Sequence, residues 1–444
     1  MSEPNNSLAR HQYAAFLDQL PADWEQKEIA QIGTVVGGGT PSRDVPSFWR
    51  GSIPWVTPGE VSGAGAKLLL DTNEHISMSG LAGSGANLLP AGALLVTTRA
   101  TLGARVINAV PMATNQGFKS VVFKRPEESS YYFHLFDKVK SELVRRASGT
   151  TFLEISGADF GSIKVPSPLT SEKQKISQLL DTLDTAIHET EAIIAKLKAV
   201  KQGLLHDLLT RGIGANGELR PPQVEAPHLY KESQLGWIPK EWEIESLTKV
   251  CSDVVDCPHS TPNYQDQGVL VARTMHIKDG TFLETLASRV SERQYQDRIT
   301  RLEPKAGDVI FTREAPVGEA FVIPSDMRVC LGQRVMLLRP KYGRLVAEYL
   351  LAQIYSGAVK DRIATLTSGT TNPHLNVSEV KEFEIPLPPF AEQQEIANRL
   401  NEHETRLQSE LSEQNKLSLL KSGLMDDLLT GRVRVTPLLE GATP

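Results

Sequence analysis

Residues able to do chemistry are scattered through this chain, and their spacing fits no familiar reaction. The run Gly37-Gly38-Gly39-Thr40-Pro41-Ser42 is glycine-rich, but a phosphate loop needs G-x4-G-K-[ST] with its lysine, and that spacing is absent. No G-x-G-x-x-G opens a helix after a strand, so neither a dinucleotide site nor an S-adenosylmethionine site is indicated. Leu387 stands before Pro388-Pro389-Phe390, where adenine methyltransferases carry Asn or Asp. Cys251, Cys257, His259 and Cys330 are the residues that could gather a zinc. The first two lack the C-x2-4-C spacing of structural zinc sites, and nothing like these ligands occurs in the other half of the chain. The 10 histidines contain no H-E-x-x-H, and His206 and His403 read as surface or seam residues of long helices. The expectation is a chain with no catalytic residue and no metal of its own.

The elements that would position any functional residue emerge from length and repetition. At 444 residues the chain is too long for one core, and length alone suggests about three domains. With 40% hydrophobic and 23% charged residues the composition is that of a soluble globular protein. The formal net charge of -6 excludes a uniformly basic nucleic-acid binder while leaving local DNA-binding surfaces open. Three cysteines fit a reducing compartment. No signal-peptide core and no long uncharged apolar run is present, so a cytoplasmic location with no membrane contact is expected.

The chain repeats itself at about 220 residues. Val165-Pro166-Ser167-Pro168 returns as Ile385-Pro386-Leu387-Pro388, and Ser171-Glu172-Lys173-Gln174-Lys175-Ile176 as Ala391-Glu392-Gln393-Gln394-Glu395-Ile396. Ser148-Gly149-Thr150-Thr151 returns as Ser368-Gly369-Thr370-Thr371, and Asp207-Leu208-Leu209-Thr210 as Asp427-Leu428-Leu429-Thr430. Upstream, Pro21-Ala22-Asp23-Trp24-Glu25 matches Pro239-Lys240-Glu241-Trp242-Glu243, and Thr98-Arg99 matches Thr312-Arg313.

Each copy has two textures. The first holds short β-branched runs, Ala93 to Thr98, Lys119 to Phe123, Asp308 to Thr312 and Arg334 to Leu338, broken by Gly and Pro, as in a mixed α/β globule. One helix is expected to close each globule, Tyr131 to Arg146 and Val346 to Leu366. The second texture is a helix of roughly 40 residues, about 60 Å long, from Ser171 to Arg211 and from Ala391 to Thr430. Ser171 suits the N-cap and Glu172 the first turn. A 4-3 spacing from Ile176 meets apolar residues at eight of ten positions, and from Ile396 at six of ten, which predicts a coiled-coil seam. Lys201 and Lys421 fall at equivalent seam positions, where they either fix register or lay their stems along it. Glu410 and Gln414 weaken the second seam, marking either a docking place for a partner helix or a loose stretch.

Two divergent globules that open on P-x-[DE]-W-E, close on Ser-Gly-Thr-Thr and step through Pro-x-Pro into an E-x-Q-x-I helix start and an L-L-T helix end resemble the specificity subunit of type I restriction-modification enzymes, HsdS. The resemblance spans about residues 20–432. It implies a mixed α+β chain with a pseudo-twofold repeat: an N-terminal segment (1–20), target recognition domain 1 (21–168), a central conserved helix (169–211), a linker (212–236), target recognition domain 2 (237–388), a C-terminal conserved helix (389–432) and a tail (433–444). The helices would pair antiparallel and separate the domains, each of which would read half of a bipartite site in double-stranded DNA. The resemblance further implies two modification subunits using S-adenosylmethionine and two restriction subunits using ATP and Mg, with no cofactor in this chain. A coiled-coil scaffold without sequence readout is the alternative.

Reading residues must be polar side chains on loops. The candidates are Thr40, Ser42, Arg43, Arg99, Asn115, Gln116, Lys119, Thr150 and Thr151 in the first domain. In the second they are Arg273, His276, Arg313, Gln333, Arg334, Thr370, Thr371, Asn372 and His374. Arg99 with Arg313, and Gln116 with Gln333, are expected at matching places, which favours framework or phosphate contact there over differing readout.

Overall fold

The computed structural model describes residues 13–63, 67–99, 101–147, 154–369, 371 and 373–440. The chain falls into two compact units, Met1–Glu191 with Glu413–Pro444, and Ala192–Ser412. The long helices are Thr170–Thr210 and Phe390–Leu428, each beginning one residue before the expected start, so that Ser171 lies inside the first turn. The division between units runs through both helices. Unit 1 therefore holds the first globule, the opening half of the first long helix and the closing half of the second, and unit 2 holds the rest.

In unit 1 a five-stranded sheet runs in the order Gly33–Gly37, Phe118–Phe123, Leu94–Thr97, Arg105–Asn108, Leu68–Leu69. Unit 2 repeats the first four places with Cys251–Asp256, Val335–Pro340, Val309–Thr312 and Ala320–Val322. The strands Leu94–Thr97 and Val309–Thr312 are buried along their whole length, as expected of strands covered on both faces and rich in β-branched residues. A further antiparallel pair joins the start and end of each globule, Glu25–Glu28 with Lys164–Ser167 and Glu243–Ser246 with Glu384–Leu387. This pairing explains why the P-x-[DE]-W-E and Pro-x-Pro motifs recur together.

The helix Ser129–Arg146 buries Tyr131, Leu135, Val139 and Leu143, a stripe at four-residue spacing, in one cluster with Ile176, Leu180, Leu428 and Leu429 of the long helices. In unit 2 the single helix expected from Val346 to Leu366 is two, Ala347–Ser356 and Ala358–Thr367. Gly357 is extended at the break. The fully buried Gln353 holds both sides, its Oε1 accepting from the Ala358 N–H at 3.1 Å and its Nε2 donating to the Tyr349 hydroxyl at 2.8 Å.

Within each unit the two helix halves pair antiparallel. Ile194, Leu197 and Leu407 cluster with Leu411 in unit 2, beside the ion pair Lys201–Glu404 at 2.6 Å. In unit 1 Gln414 donates to Glu191 at 3.0 Å and Lys421 pairs with Asp184. Gln414 thus faces the neighbouring helix, not an open docking surface.

The 212–236 segment, expected as a linker, is folded. Ile213 bridges Leu219, and Tyr230–Ser233 pairs with Gly236–Pro239 in a hairpin. Buried Ile213, Tyr230 and Ile238 supply the apolar surface that holds it down. Its Arg220 reaches the start of the second long helix, where Glu392 accepts from Arg220 Nη1 at 2.6 Å, the Ile213 N–H at 2.8 Å and Trp242 Nε1 at 3.2 Å. Unit 1 has the twin: Arg434 donates to Glu172 at 2.9 Å and to Asp23 at 2.8 Å. Near the limits of the described residues, Tyr13 donates to the Lys164 carbonyl at 2.7 Å and Val435 is buried.

Candidate nucleic-acid interface

Both globules bring the same backbone turns to one end of the main sheet. In unit 1 the Thr98 N–H donates to the Gly117 carbonyl at 2.7 Å, Gly103 to Thr97 at 2.9 Å and Ile155 to Thr98 at 3.4 Å. In unit 2 Arg313 donates to Arg334 at 2.9 Å, Gly318 to Thr312 at 3.0 Å and Leu375 to Arg313 at 3.0 Å. Thr98 is therefore the counterpart of Arg313, Gly117 of Arg334 and Arg99 of Glu314. The expected match of Arg99 with Arg313 is off by one residue, and in extended chain a one-residue slip turns a side chain to the opposite face. Gln116 and Gln333 do match.

The glycine run owes its composition to close packing. A Cβ on Gly38 would lie 1.9 Å from the Asn115 carbonyl oxygen, and one on Gly39 2.2 Å from the Gly85 carbonyl carbon. Only glycine permits that approach. The run leads into exposed Thr40, whose hydroxyl donates to Gln116, and exposed Ser42, whose carbonyl accepts from Trp49 Nε1 at 3.0 Å. The Arg43 guanidinium lies 3.7 Å from the centre of the Trp49 ring and donates to Glu74 at 2.8 Å. Hydrogen bonding from Arg43 holds the Glu74 carboxyl below its usual range. Arg43 is thus a preset planar group. Half-buried Asn115 closes a local turn, its Oδ1 accepting from the Gly117 N–H at 2.8 Å. Arg99 bridges Glu154 through the backbone, and Lys119 lies 3.6 Å from the same residue's carboxylate. Thr40, Gln116, Arg99 and Lys119 are therefore gathered at one sheet end.

In unit 2 the gathering centres on Gln333, whose Nε2 donates to the His259 carbonyl at 3.1 Å and to Thr261 at 2.9 Å. Next to it exposed Arg334 pairs with Glu314 at 3.2 Å, and Glu314 bridges exposed His374. Arg273 stacks over Tyr264, 4.8 Å from its centre. Thr371 is exposed. Thr150, Thr151, Thr370 and Asn372 lie outside the described residues.

Two candidates sit in the framework. His276 is 1% exposed, its ring 3.2 Å from the Val271 carbonyl, and burial lowers its pKa. Arg313 is 9% exposed, donating to the Leu375 carbonyl at 2.9 Å and pairing with Asp256 at 3.1 Å. His276 closes the short 3-10 turn Thr274–His276 and packs its ring against Phe282, and Arg313 follows the end of the strand Val309–Thr312 with its guanidinium held by Leu375 and Asp256. Sequence reading missed Trp49, Glu74, His259 and Thr261, which hold the exposed candidates. Trp49 is only six residues from Arg43, but Glu74, His259 and Thr261 lie 31 to 74 positions from the residues they hold, and no local pattern marks partners that far away.

The free cysteines Cys251, Cys257 and Cys330 are buried in three separate apolar clusters. Among the described residues, His134, Asp181 and Asp184 lie close enough to hold a metal ion. Lys67, 2.6 Å from Asp181, and Lys421 beside Asp184 already neutralise those carboxylates. Among the described residues no helix is long and apolar enough to cross a membrane.

Comparison with known proteins gives this geometry its family. The profile of the type I restriction modification DNA specificity domain matches twice, at residues 21–199 and 239–419. The type I restriction enzyme MjaIX specificity subunit of Methanocaldococcus jannaschii is 24% identical over 436 residues, covering 95% of this chain and 96% of that one. The EcoR124I/EcoR124II specificity subunit of Escherichia coli is 30% identical over 193 residues, 40% of this chain and 46% of that one. In fold, the chain is similar to the type I restriction-modification S subunit from M. genitalium, with a TM-score of 0.59 at 12% identity over 92% of this chain and 98% of that one. A structure from a study of type I system assembly and conformational transition gives 0.50 at 19% identity over 93% and 99%. With the specificity domain present twice and covering most of its length, the chain belongs to the type I restriction-modification specificity family, and its role is DNA-sequence specificity, not catalysis.

Proposed function

We propose that the two globules each read one half of a bipartite site in double-stranded DNA, and that two modification and two restriction subunits act on the site so chosen. The observation that supports this reading is one hydrogen-bonded frame carrying different residues: Arg99 and Gly117 in unit 1 stand where Glu314 and Arg334 stand in unit 2. A scaffold needs no such divergence, whereas reading two different half-sites requires it. Phosphate contact from Lys and Arg positions the duplex, and amide and guanidinium groups discriminate bases.

On this reading S-adenosylmethionine, ATP and Mg are used by the partner subunits, and the complex works in the cytoplasm. Methylome sequencing of cells carrying this chain with its modification partner tests it. One asymmetric two-part motif is expected. Methylation independent of sequence would leave the scaffold reading instead.

A further inference from the structure

The described residues include four non-glycine residues with positive φ: Arg50, Asp279, Ala315 and Arg334. Arg334, at φ 65°, occupies the tip of the turn that leads into Val335–Pro340. A long side chain rarely adopts the left-handed region, and glycine does so freely. The same frame position in unit 1 is Gly117, whose φ is not positive, so the shared frame demands neither an arginine nor a left-handed backbone there.

Its pairing gives no structural reason for it either. Arg334 Nε lies 3.2 Å from Glu314, and the two side chains are 58% and 33% exposed, the setting in which an ion pair contributes little to stability. Arg334 Nη1 and Nη2 make no hydrogen bond among the described residues, while Nε faces Glu314. Gln333 beside it is committed to His259 and Thr261.

We propose that Arg334 is the side chain with which the second recognition domain reads a guanine in its half-site, donating to O6 and N7 in the major groove. The inference rests on the DNA-reading role given above. A base contact fits better than a phosphate contact because the position is not shared. Backbone phosphates are alike at both half-sites and call for the same groups, whereas the first domain has no side chain at this place and carries its arginine at Arg99, on a different turn.

The test uses the full chain assembled with its modification subunits, comparing wild type with Arg334→Gly and Arg334→Lys by methylome sequencing and thermal unfolding. Arg334→Gly relieves the backbone, so its melting temperature is expected to stay level or rise. Its methylation of the native site should fall about tenfold or more, with preference lost at one guanine of the second half-site. Arg334→Lys keeps the charge but not the planar fork, and should not restore that preference. Native methylation by Arg334→Gly, or full rescue by Arg334→Lys, would overturn the proposal while leaving the DNA-reading role intact. A wild-type complex without any defined motif would remove both.

Discussion

Lys201 Nζ lies 2.6 Å from Glu404 Oε2, and the pair has a twin in Lys421 and Asp184. Each lysine and each acid stands 220 positions from its counterpart in the duplicated sequence. Both lysines therefore meet an acid of the facing helix from equivalent seam positions. Their side chains remain about one-third exposed in the Lys201 pair, so each pair contributes only about 0–1 kcal/mol.

Replacing Lys201 tests the ion pair. Lys201→Met is expected to change unfolding free energy by less than about 0.5 kcal/mol, because it keeps the apolar stem and loses only a partly exposed ion pair. Lys201→Glu places like charges together and should cost about 1 kcal/mol. Urea unfolding midpoints check both, and equal effects would contradict the pairing.

Glu392 is a stronger case, since it and Arg220 have side chains 9% and 10% exposed. Glu392→Ala leaves the Arg220 charge with only Glu241, at 3.5 Å, and strips acceptors from Ile213 and Trp242, which should cost about 3 kcal/mol. Glu392→Gln retains an acceptor and should cost less. Chemical denaturation of the two variants gives the order directly.

Acid should loosen unit 1 through Asp181. Burial raises its pKa, but hydrogen bonds from His134, Lys67 and Ser130 outweigh that and hold it at about 2, against an ordinary 3.8. The folded value lies below the unfolded one, so the folded state binds fewer protons. The contribution is present above about pH 4 and is lost as pH falls through about 2. After allowance for the carboxylate's exposure it amounts to about 1 kcal/mol. Asp181→Asn should flatten the urea midpoint against pH across that window; an unchanged slope would argue against the network.

The thiols should be silent. Burial pushes Cys251 up to about 12 and Cys330 up to about 11, and raises Cys257 as well. Because the thiolate is the reactive form, a disulfide reagent at pH 8 should label none of the three in the native protein and all three in guanidinium. Rapid labelling of the native chain would place a cysteine at the surface.

Much of the fold was legible because its signals are local or repeat. The 4-3 spacing beginning at Ile176 predicts the first long helix, and all ten of its positions are buried or half-buried. The recurring motifs of the sequence turn out to meet in space: Trp242, Glu392 and Arg220 in one unit, Trp24, Glu172 and Arg434 in the other. Their spacing in the chain was visible; their junction was not, because Arg220 and Arg434 belong to segments that looked like a linker and a tail. The helix break at Gly357 was hidden for a similar reason, since a single glycine ends a helix only where a group such as Gln353 can cap the new start.

The sequence by itself determined the duplication, the mixed globules, the paired helices and the family, since each is written in periodicity or in motif order. Only the tertiary structure decided which polar residues face outward. Thr-Arg recurs at residues 98–99 and 312–313, yet hydrogen bonding shifts the frames by one residue, burying Arg313 and leaving Arg334 to extend from the opposite turn. A strand's two faces differ by a single step along the chain, and long-range pairing, not local composition, sets that step.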